Sequence, residues 1–207
     1  MKLLENYKRE NMFKYFSSLD NPFAITTFEI DITKVVNYAK EHKHFNAIMG
    51  FIIKKAVLEN EAFRLRYIDN KFYLCENVGI SFTQLKDDNV DFINCDSDDM
   101  EDFFKEYDQK KLELLDNIKT SFDDERRIEE DRQDVIWLSC LPWHSFTGLV
   151  PPFDKKVTIP QVIWDKYEEV NGKYYCHLMV LVHHGFADGL HISRFVDSIE
   201  NNINILD

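Results

Sequence analysis

The chain has 207 residues, of which 44% are apolar and 14% aromatic, enough to bury a core without disulfides or a structural metal. It carries 37 acidic against 25 basic side chains, and this net charge of -12 repels a phosphate backbone, which argues against nucleic acid as a partner. No internal repeat or linker-like segment divides the sequence, so we expect residues 1–207 to form a single domain.

We expect neither a membrane anchor nor a metal site. The longest apolar runs, around 48–53 and 178–182, are far shorter than a transmembrane helix requires, and Glu5 precedes any apolar signal region. The four cysteines are far apart and form no C-x-x-C pair, a distribution typical of reduced thiols in a core. There is no H-E-x-x-H motif and no glycine-rich phosphate loop. These features predict a cytoplasmic protein.

In the first half of the chain, the apolar periodicity alternates between helical and strand-like. Apolar and acidic residues alternate over 26–32, a period of two that is typical of a half-buried strand. Thr33 and Asn46 stand where they could begin the next two helices, and Asp69-Asn70 forms a plausible hairpin turn. The predicted elements are a helix over 7–17, a strand over 26–32, helices over 35–40 and 46–57, and strands over 63–68, 72–75 and 78–83.

The second half contains a long amphipathic helix, for which Asp96 or Ser97 is the predicted cap. Asn171-Gly172 is the strongest hairpin signal of the sequence, and Asp188 opens a final helix. The predicted elements are a helix over 96–119, a solvated helix or loop over 120–133, strands over 135–139, 159–167 and 173–182, and a helix from 188. This mixture of helices and strands predicts an α/β fold.

The most informative segment follows the last predicted strand and reads H-H-G-F-A-D-G over 183–189. Because side chains alternate along a strand, His183 and His184 must face different environments. An imidazole can accept a proton near pH 7, although most single histidines at strand ends are structural. Asp188 stands where it could cap a helix or pair with a basic side chain. The residues by themselves leave a catalytic and a structural interpretation open.

This H-H-x-x-x-D-G pattern resembles the chloramphenicol acetyltransferase family, and a shorter version occurs in the acyltransferase domains of 2-oxoacid dehydrogenase complexes. Three further segments extend the resemblance over almost the whole chain. They are P-W-H-S-F-T over 142–147, Y-K-R-E over 7–10 and F-R-L-R over 63–66. The resemblance implies a two-layer α/β sandwich with a mixed β-sheet. It also implies a homotrimer whose active sites lie at the subunit interfaces.

The resemblance further assigns roles to individual residues. His184 matches the general base, with His183 as its structural neighbour, and Ser145 matches the donor that stabilises an oxyanion at the thioester carbonyl. Asp188 and Arg9 match an ion pair that supports the histidine loop. If that pair were buried, breaking it from one side would cost roughly 3–5 kcal/mol. The implied reaction is a direct transfer without an acyl-enzyme, in which acetyl-CoA is a co-substrate and no cofactor is tightly bound.

Three residues bear on the acceptor side of the implied site. His144 stands where the family usually carries a small or branched apolar residue. Phe16 falls near a position that carries tyrosine in better-known members. Phe16 and Phe146 are candidates to contact an aromatic acceptor, although packing within the core is the alternative for both.

The sequence therefore predicts an enzyme that acetylates a hydroxyl of chloramphenicol, which inactivates the antibiotic. The first alternative is the same chemistry on another small hydroxyl compound, for which His144 and Phe16 are the reason. The second is an oligomeric binding protein without catalysis. A serine hydrolase is disfavoured because Ser145 does not lie in a G-x-S-x-G motif.

Overall fold

A computed structural model describes residues 1–86, 88–116 and 132–206 of the chain. The strands are β1 (Lys2–Leu4), β2 (Phe23–Asp31), β3 (Leu65–Ile68), β4 (Lys71–Leu74), β5 (Gly79–Lys86), β6 (Asn89–Cys95), β7 (Val135–Leu141), β8 (Gln161–Asp165), β9 (Glu168–Val170) and β10 (Lys173–His183). The helices are α1 (Glu10–Ser17), α2 (Thr33–His42), α3 (Phe45–Glu59), α4 (Met100–Asp116) and α5 (Gly189–Asn204). The predicted mixture of helices and strands is confirmed, and β1, β6 and β9 are additions to it.

Within the described ranges, the main sheet holds seven strands in the order β2-β10-β8-β7-β5-β6, with β9 beside β10. Strand β7 pairs in parallel with β5 and β8, whereas the other pairs in this sheet are antiparallel. The sheet is therefore mixed, as the resemblance implies. A smaller sheet, in the order β1-β4-β3, accompanies it.

Helices α2, α3 and α5 cover one face of the main sheet and enclose the largest apolar cluster. Strand β10, next to the edge strand β2, directs Leu178, Val180 and Val182 into this cluster, each with no exposed surface. Burying such a side chain stabilises the fold by about 1.5–3 kcal/mol. The opposite face carries a smaller cluster, which the segment 142–160 covers with Phe146 and other partly buried apolar side chains. The core thus lies between two layers, and β10 is fixed on both sides.

The two predicted hairpin turns are confirmed. Asp69 and Asn70 have φ values of 50° and 62°, and Asn171 and Gly172 have values of 53° and 79°. Positive φ at both central residues defines the tight turn that matches the twist of antiparallel strands, and Asn and Gly tolerate it best.

Thr33 does not cap α2 as predicted, and the predicted start of α3 at Asn46 is one residue late. The backbone N–H and the hydroxyl of Thr33 both donate to Asp31 Oδ1, so Thr33 is the first helical residue and caps nothing. Helix α3 begins at Phe45, one residue before Asn46, after His44 adopts a left-handed backbone with φ of 66°. In both cases, the preceding turn sets the start of the helix.

The predicted cap of α4 is also wrong. Asp99 Oδ1 accepts a hydrogen bond from the Asp102 N–H at 3.0 Å, and the helix begins at Met100. The N–H groups of Asp96 and Ser97 instead donate to Glu106, in the second turn of the helix. The end of the predicted helix and most of the predicted segment 120–133 lie outside the described residues. In the described part of the chain, no helix has the length and apolar character needed to cross a membrane.

Candidate active site

The histidine loop, residues 184–188, directly follows strand β10, so the sheet determines its position. The His184 N–H donates to the Pro22 carbonyl at 2.8 Å, which ties the loop to the start of β2. The N–H groups of Phe186 and Ala187 then turn back to the His183 carbonyl at 2.8 and 3.1 Å. This tight turn leads into helix α5.

His183 is a buried structural residue. Its side chain stacks on Phe13 with ring centroids 4.3 Å apart, and the residue is 1% exposed. Nδ1 accepts the Gly185 N–H at 3.1 Å, so the proton resides on Nε2, which lies 3.2 Å from Ser17 Oγ. Burial, together with the neighbouring His184, lowers the pKa of His183 to about 4. His183 therefore stays neutral at physiological pH.

Gly185 is required by the close packing of this loop. A Cβ atom at this position would lie 2.5 Å from Phe13 Cα, which is backbone and cannot move aside cheaply. Helix α1 can therefore approach the histidine turn only because residue 185 lacks a side chain.

His184 faces a different environment from His183, as the alternation of the strand predicts. It is half-buried, and its ring stacks on Phe16 with centroids 4.0 Å apart and planes inclined by 10°. Nδ1 is buried without a hydrogen-bond partner in the described part of the chain. Nε2 is therefore the ring nitrogen that remains accessible to a ligand.

A polar network between the histidine loop, the start of α5 and the segment before α1 supports this loop. Arg9 Nη1 lies 3.3 Å from Asp188 Oδ2 and 3.3 Å from His191 Nε2. His191 Nδ1 lies 2.7 Å from Asp188 Oδ1, so Nδ1 donates to the carboxylate and Nε2 accepts from Arg9. Tyr7 adds a bond to the Gly185 carbonyl at 3.4 Å. The segment before α1 thus holds the loop at several points.

Asp188 has both of the roles that the sequence left open. Besides its contact with Arg9, it caps α5, because Oδ1 accepts the N–H groups of Leu190 and His191 at 3.1 and 3.4 Å. The side chains of Arg9 and Asp188 are 22% and 39% exposed. The cost expected for a buried pair therefore does not apply, and an exposed pair contributes at most about 1 kcal/mol.

The charge of Asp188 should stabilise the fold only above acidic pH. Burial raises the pKa of its carboxyl, but the His191 hydrogen bond and Arg9 outweigh this effect and hold the pKa below its ordinary value. The contribution is thus present above about pH 4 and is lost as the pH falls through the folded-state pKa. We expect Asp188→Asn, which keeps a capping side chain, to lower the free energy of unfolding at pH 7 by about 0.5–1 kcal/mol.

Urea unfolding at pH 7 and at decreasing pH measures this effect, with Asp197→Asn on the exposed face of α5 as the control. The difference between wild type and Asp188→Asn should shrink below about pH 4, where the carboxylate of the wild type is protonated. A difference that grows toward low pH would contradict the assignment.

Ser145 belongs to a second region, the connection 142–160 between β7 and β8, which we call the Ser145 segment. Its hydroxyl donates to Glu168 Oε1 at 3.1 Å, and residues 142–145 are exposed. The next residue, Phe146, donates its N–H to Asp165 Oδ2 at 2.9 Å, and Asp165 also accepts from His177 Nδ1 at 2.8 Å. Ser145 is therefore anchored at the carboxyl end of β8.

Ser145 and His184 lie at opposite ends of the main sheet. Asp165, beside the Ser145 segment, binds His177 near the middle of β10, whereas His183 ends this strand. The six residue steps from 177 to 183 span about 20 Å at about 3.3 Å per step. Arg9, Asp188, His183 and His184 are brought together, and Ser145 is separate from them within one chain.

The residues proposed for the acceptor side are also divided between the histidine loop and the Ser145 segment. Phe16 lies beneath the His184 ring, and His144 is exposed in the segment after β7. Phe146 is partly buried and packs on the outer face of the sheet. This packing corresponds to the alternative interpretation of Phe146, that it packs in the core and does not contact an acceptor.

Asp165 and His177 are polar contacts of the site region that the sequence reasoning missed. Asp165 ends the apolar run V-I-W in β8, and His177 interrupts the apolar run C-H-L-M-V in β10. This interruption is the signal that could have identified them, since a charged group within an apolar run requires a partner.

Several solved structures share this fold, and two of them have names that bear on function. One, named chloramphenicol acetyltransferase, has a TM-score of 0.85 over 96% of this chain and 96% of its own, at 20% identity. Another, described as a probable dihydrolipoamide acetyltransferase from Listeria monocytogenes, has a TM-score of 0.64 over 100% and 95%, at 15% identity. The fold is therefore one that proteins named acetyltransferases share.

The chain belongs to the chloramphenicol acetyltransferase family, whose model matches residues 2–200. The family is one of acyltransferases. A chloramphenicol acetyltransferase of Staphylococcus aureus is 26% identical over 215 residues, which cover 95% of this chain and 92% of the relative. One of Campylobacter coli is 25% identical over 210 residues, covering 97% and 96%. The resemblance carried by the motifs is thus confirmed over nearly the whole chain.

Proposed function

We propose that the protein is an O-acetyltransferase that moves the acetyl group of acetyl-CoA to a hydroxyl of chloramphenicol and so inactivates the antibiotic. The observation that carries the proposal is the environment of His184. Its ring is held flat against Phe16 and its Nδ1 is buried, so only Nε2 is available to a substrate. Membership of an acyltransferase family supports this assignment.

In this reaction, Nε2 of neutral His184 accepts the proton of the acceptor hydroxyl as its oxygen attacks the thioester carbonyl. A tetrahedral oxyanion forms, and the Ser145 hydroxyl donates a hydrogen bond to it. When the intermediate collapses, the carbon–sulfur bond breaks and His184 returns the proton to the CoA sulfur. The products are the acetyl ester and CoA.

This chemistry requires two copies of the chain, because Ser145 and His184 are about 20 Å apart along β10 within one copy. We propose that His184 of one subunit meets Ser145 of its neighbour in a homotrimer. Two apolar residues of the Ser145 segment are largely exposed to solvent, Trp143 by 61% and Val150 by 68% of their surface. Exposed apolar side chains of this size are typical of an interface. The cytoplasmic location of the enzyme stays a prediction.

Release of the CoA thiol from acetyl-CoA tests the proposal directly. Wild type and His184→Ala are compared with and without chloramphenicol. Thiol release that requires both chloramphenicol and His184 supports the proposed reaction. Absence of chloramphenicol-dependent release contradicts it and turns attention to other acceptors.

A different small hydroxyl acceptor is the second candidate. The exposed His144 adds a polar imidazole to the Ser145 segment, where an apolar residue is usual in the resistance enzymes, and Phe16 offers no hydroxyl beneath His184. A panel of hydroxyl compounds in the same thiol assay separates the two candidates. An oligomeric binding protein without catalysis would leave acetyl-CoA intact with every acceptor.

Ser145→Ala should lower kcat on the order of 100-fold, with a smaller effect on KM for the acceptor. The hydroxyl is needed once charge develops on the thioester oxygen, so its removal affects the transition state more than the bound substrates. Steady-state kinetics with both substrates measure this split. Thr147→Ala is the matched control, since it removes a hydroxyl from the same segment. A pure effect on KM would make Ser145 a substrate contact.

A further inference from the structure

A fully buried carboxylate lies directly beside the Ser145 segment. The Asp165 side chain has no exposed surface. Its Oδ2 accepts from the Phe146 N–H at 2.9 Å and from His177 Nδ1 at 2.8 Å, and its Oδ1 accepts from the His177 N–H at 2.7 Å. A buried carboxylate is costly unless several donors surround it, and these three bonds meet that requirement.

The bond to Phe146 fixes the backbone on one side of Ser145. The Phe146 nitrogen belongs to the peptide group that joins the two residues, so Asp165 sets the plane of this peptide relative to β8. The remaining freedom of the hydroxyl is rotation about the Cα–Cβ bond of Ser145. In the single chain, the hydroxyl donates to Glu168. Rotation turns it toward an oxyanion without moving the backbone.

The exposure of the Ser145 segment makes the hydrogen bond from Phe146 to Asp165 important. Residues 142–145 are exposed, and the neighbouring backbone contact, from Lys166 N to the His144 carbonyl, is long at 3.5 Å. An apolar residue at 165 would pack on the outer face of the sheet without the cost of burying a charge. A fold that accepts such a cost next to a reactive group commonly uses it to hold that group in place.

We infer that Asp165 and His177 are positioning residues that hold Ser145 for stabilisation of the oxyanion. His177 fixes Asp165 through its backbone and its ring, and Asp165 fixes the peptide after Ser145. This inference rests on the proposed function, in which Ser145 is the donor. Neither residue is required to touch the substrate.

The kinetic test is Asp165→Asn, with Asp154→Asn as the matched control. Asp154 lies in the same segment and is exposed, and its side chain accepts a local hydrogen bond from the Lys156 N–H. Losing a bond to a charged group lowers kcat roughly tenfold or more in Asp165→Asn, while KM for acetyl-CoA stays within about twofold of wild type. Asp154→Asn keeps wild-type kcat. Full activity of Asp165→Asn overturns the inference.

A combination with Ser145→Ala distinguishes positioning from general damage. If Asp165 acts through the Ser145 hydroxyl, Asp165→Asn adds less than about a twofold loss once that hydroxyl is absent. Losses that multiply in the double variant overturn the inference.

His177 offers a second variant pair, in which residue 165 itself is unchanged. Asparagine at 177 retains an N–H donor near the position of Nδ1, whereas leucine removes it. We expect His177→Asn to keep several-fold more activity than His177→Leu. Equal activity of the two variants overturns the role of the His177 ring.

Hydrogen exchange gives a readout that does not depend on activity. Exchange at the Phe146 amide, followed by mass spectrometry of peptides from the Ser145 segment, should be roughly tenfold faster in Asp165→Asn. If wild type is active and the exchange is unchanged, the anchoring is overturned and the proposed function stands. If wild type transfers no acetyl group while the exchange is faster in the variant, the anchoring stands and the proposed function is overturned.

Discussion

His184→Ala is expected to lower kcat at least about 100-fold, which is the lower end for a positioned general base. In the proposed reaction, the acceptor hydroxyl has a high pKa and must lose its proton to attack the thioester, and Nε2 is the nitrogen of His184 that a substrate can reach. Binding of acetyl-CoA should stay near wild type, because the imidazole acts on the proton of the acceptor. Steady-state kinetics and equilibrium binding of CoA measure the two effects separately.

His42→Ala is the matched control, since His42 lies at the end of α2 and stacks on Tyr38. It should leave kcat unchanged. His183→Ala is informative in a different way, because it removes a buried ring that packs on Phe13 and is expected to lower stability. If His184→Ala retained activity while a folded His183→Ala lost it, the assignment of the base would be reversed.

The features predicted correctly from the sequence depend on short-range rules. The Asn171-Gly172 turn requires positive φ at both positions, and Asp188 caps α5 by accepting N–H groups two and three residues ahead. The different environments of His183 and His184 follow from strand alternation alone. Such features are encoded within a few residues, so a single sequence is enough to predict them.

The Asp165–His177 contact depends on strand register and could not be predicted in the same way. Between β9 and β10, the register places Glu168 opposite Tyr175, and continued pairing would bring Lys166 opposite His177. Between β8 and β10, the register is shifted by one residue, so Asp165 meets His177 instead. A shift of one residue exchanges the faces of all following side chains.

The strand order was likewise beyond local reasoning. The parallel pairing of β7 with β5 and β8 joins segments that are distant in the sequence, and only the family resemblance implied a mixed sheet. The same order explains why Ser145 and His184 are both near strand ends and yet far apart. Strands β8 and β10 run in opposite directions, so the end of β8 lies beside the middle of β10, away from the end that leads to His184.

The separation of Ser145 from His184 within one chain leads to the strongest prediction about the assembly. His184→Ala retains Ser145, and Ser145→Ala retains His184, so each variant is expected to be at least about 100-fold impaired alone. If the site is shared between neighbours, mixed trimers contain interfaces where an intact His184 faces an intact Ser145. With equal amounts and random assembly, about a quarter of the interfaces are intact, and the mixture should recover about a quarter of wild-type activity.

The experiment dissociates the two purified variants, mixes them in equal amounts and lets them reassemble, with each variant reassembled alone as the control. A mixture that is not dissociated should remain inactive, because exchange of whole subunits is needed to create new interfaces. Sedimentation analysis checks that all samples form the same oligomer. If each site lay within one chain, every subunit would carry one defect, and reassembly could not raise the activity above that of the parent variants.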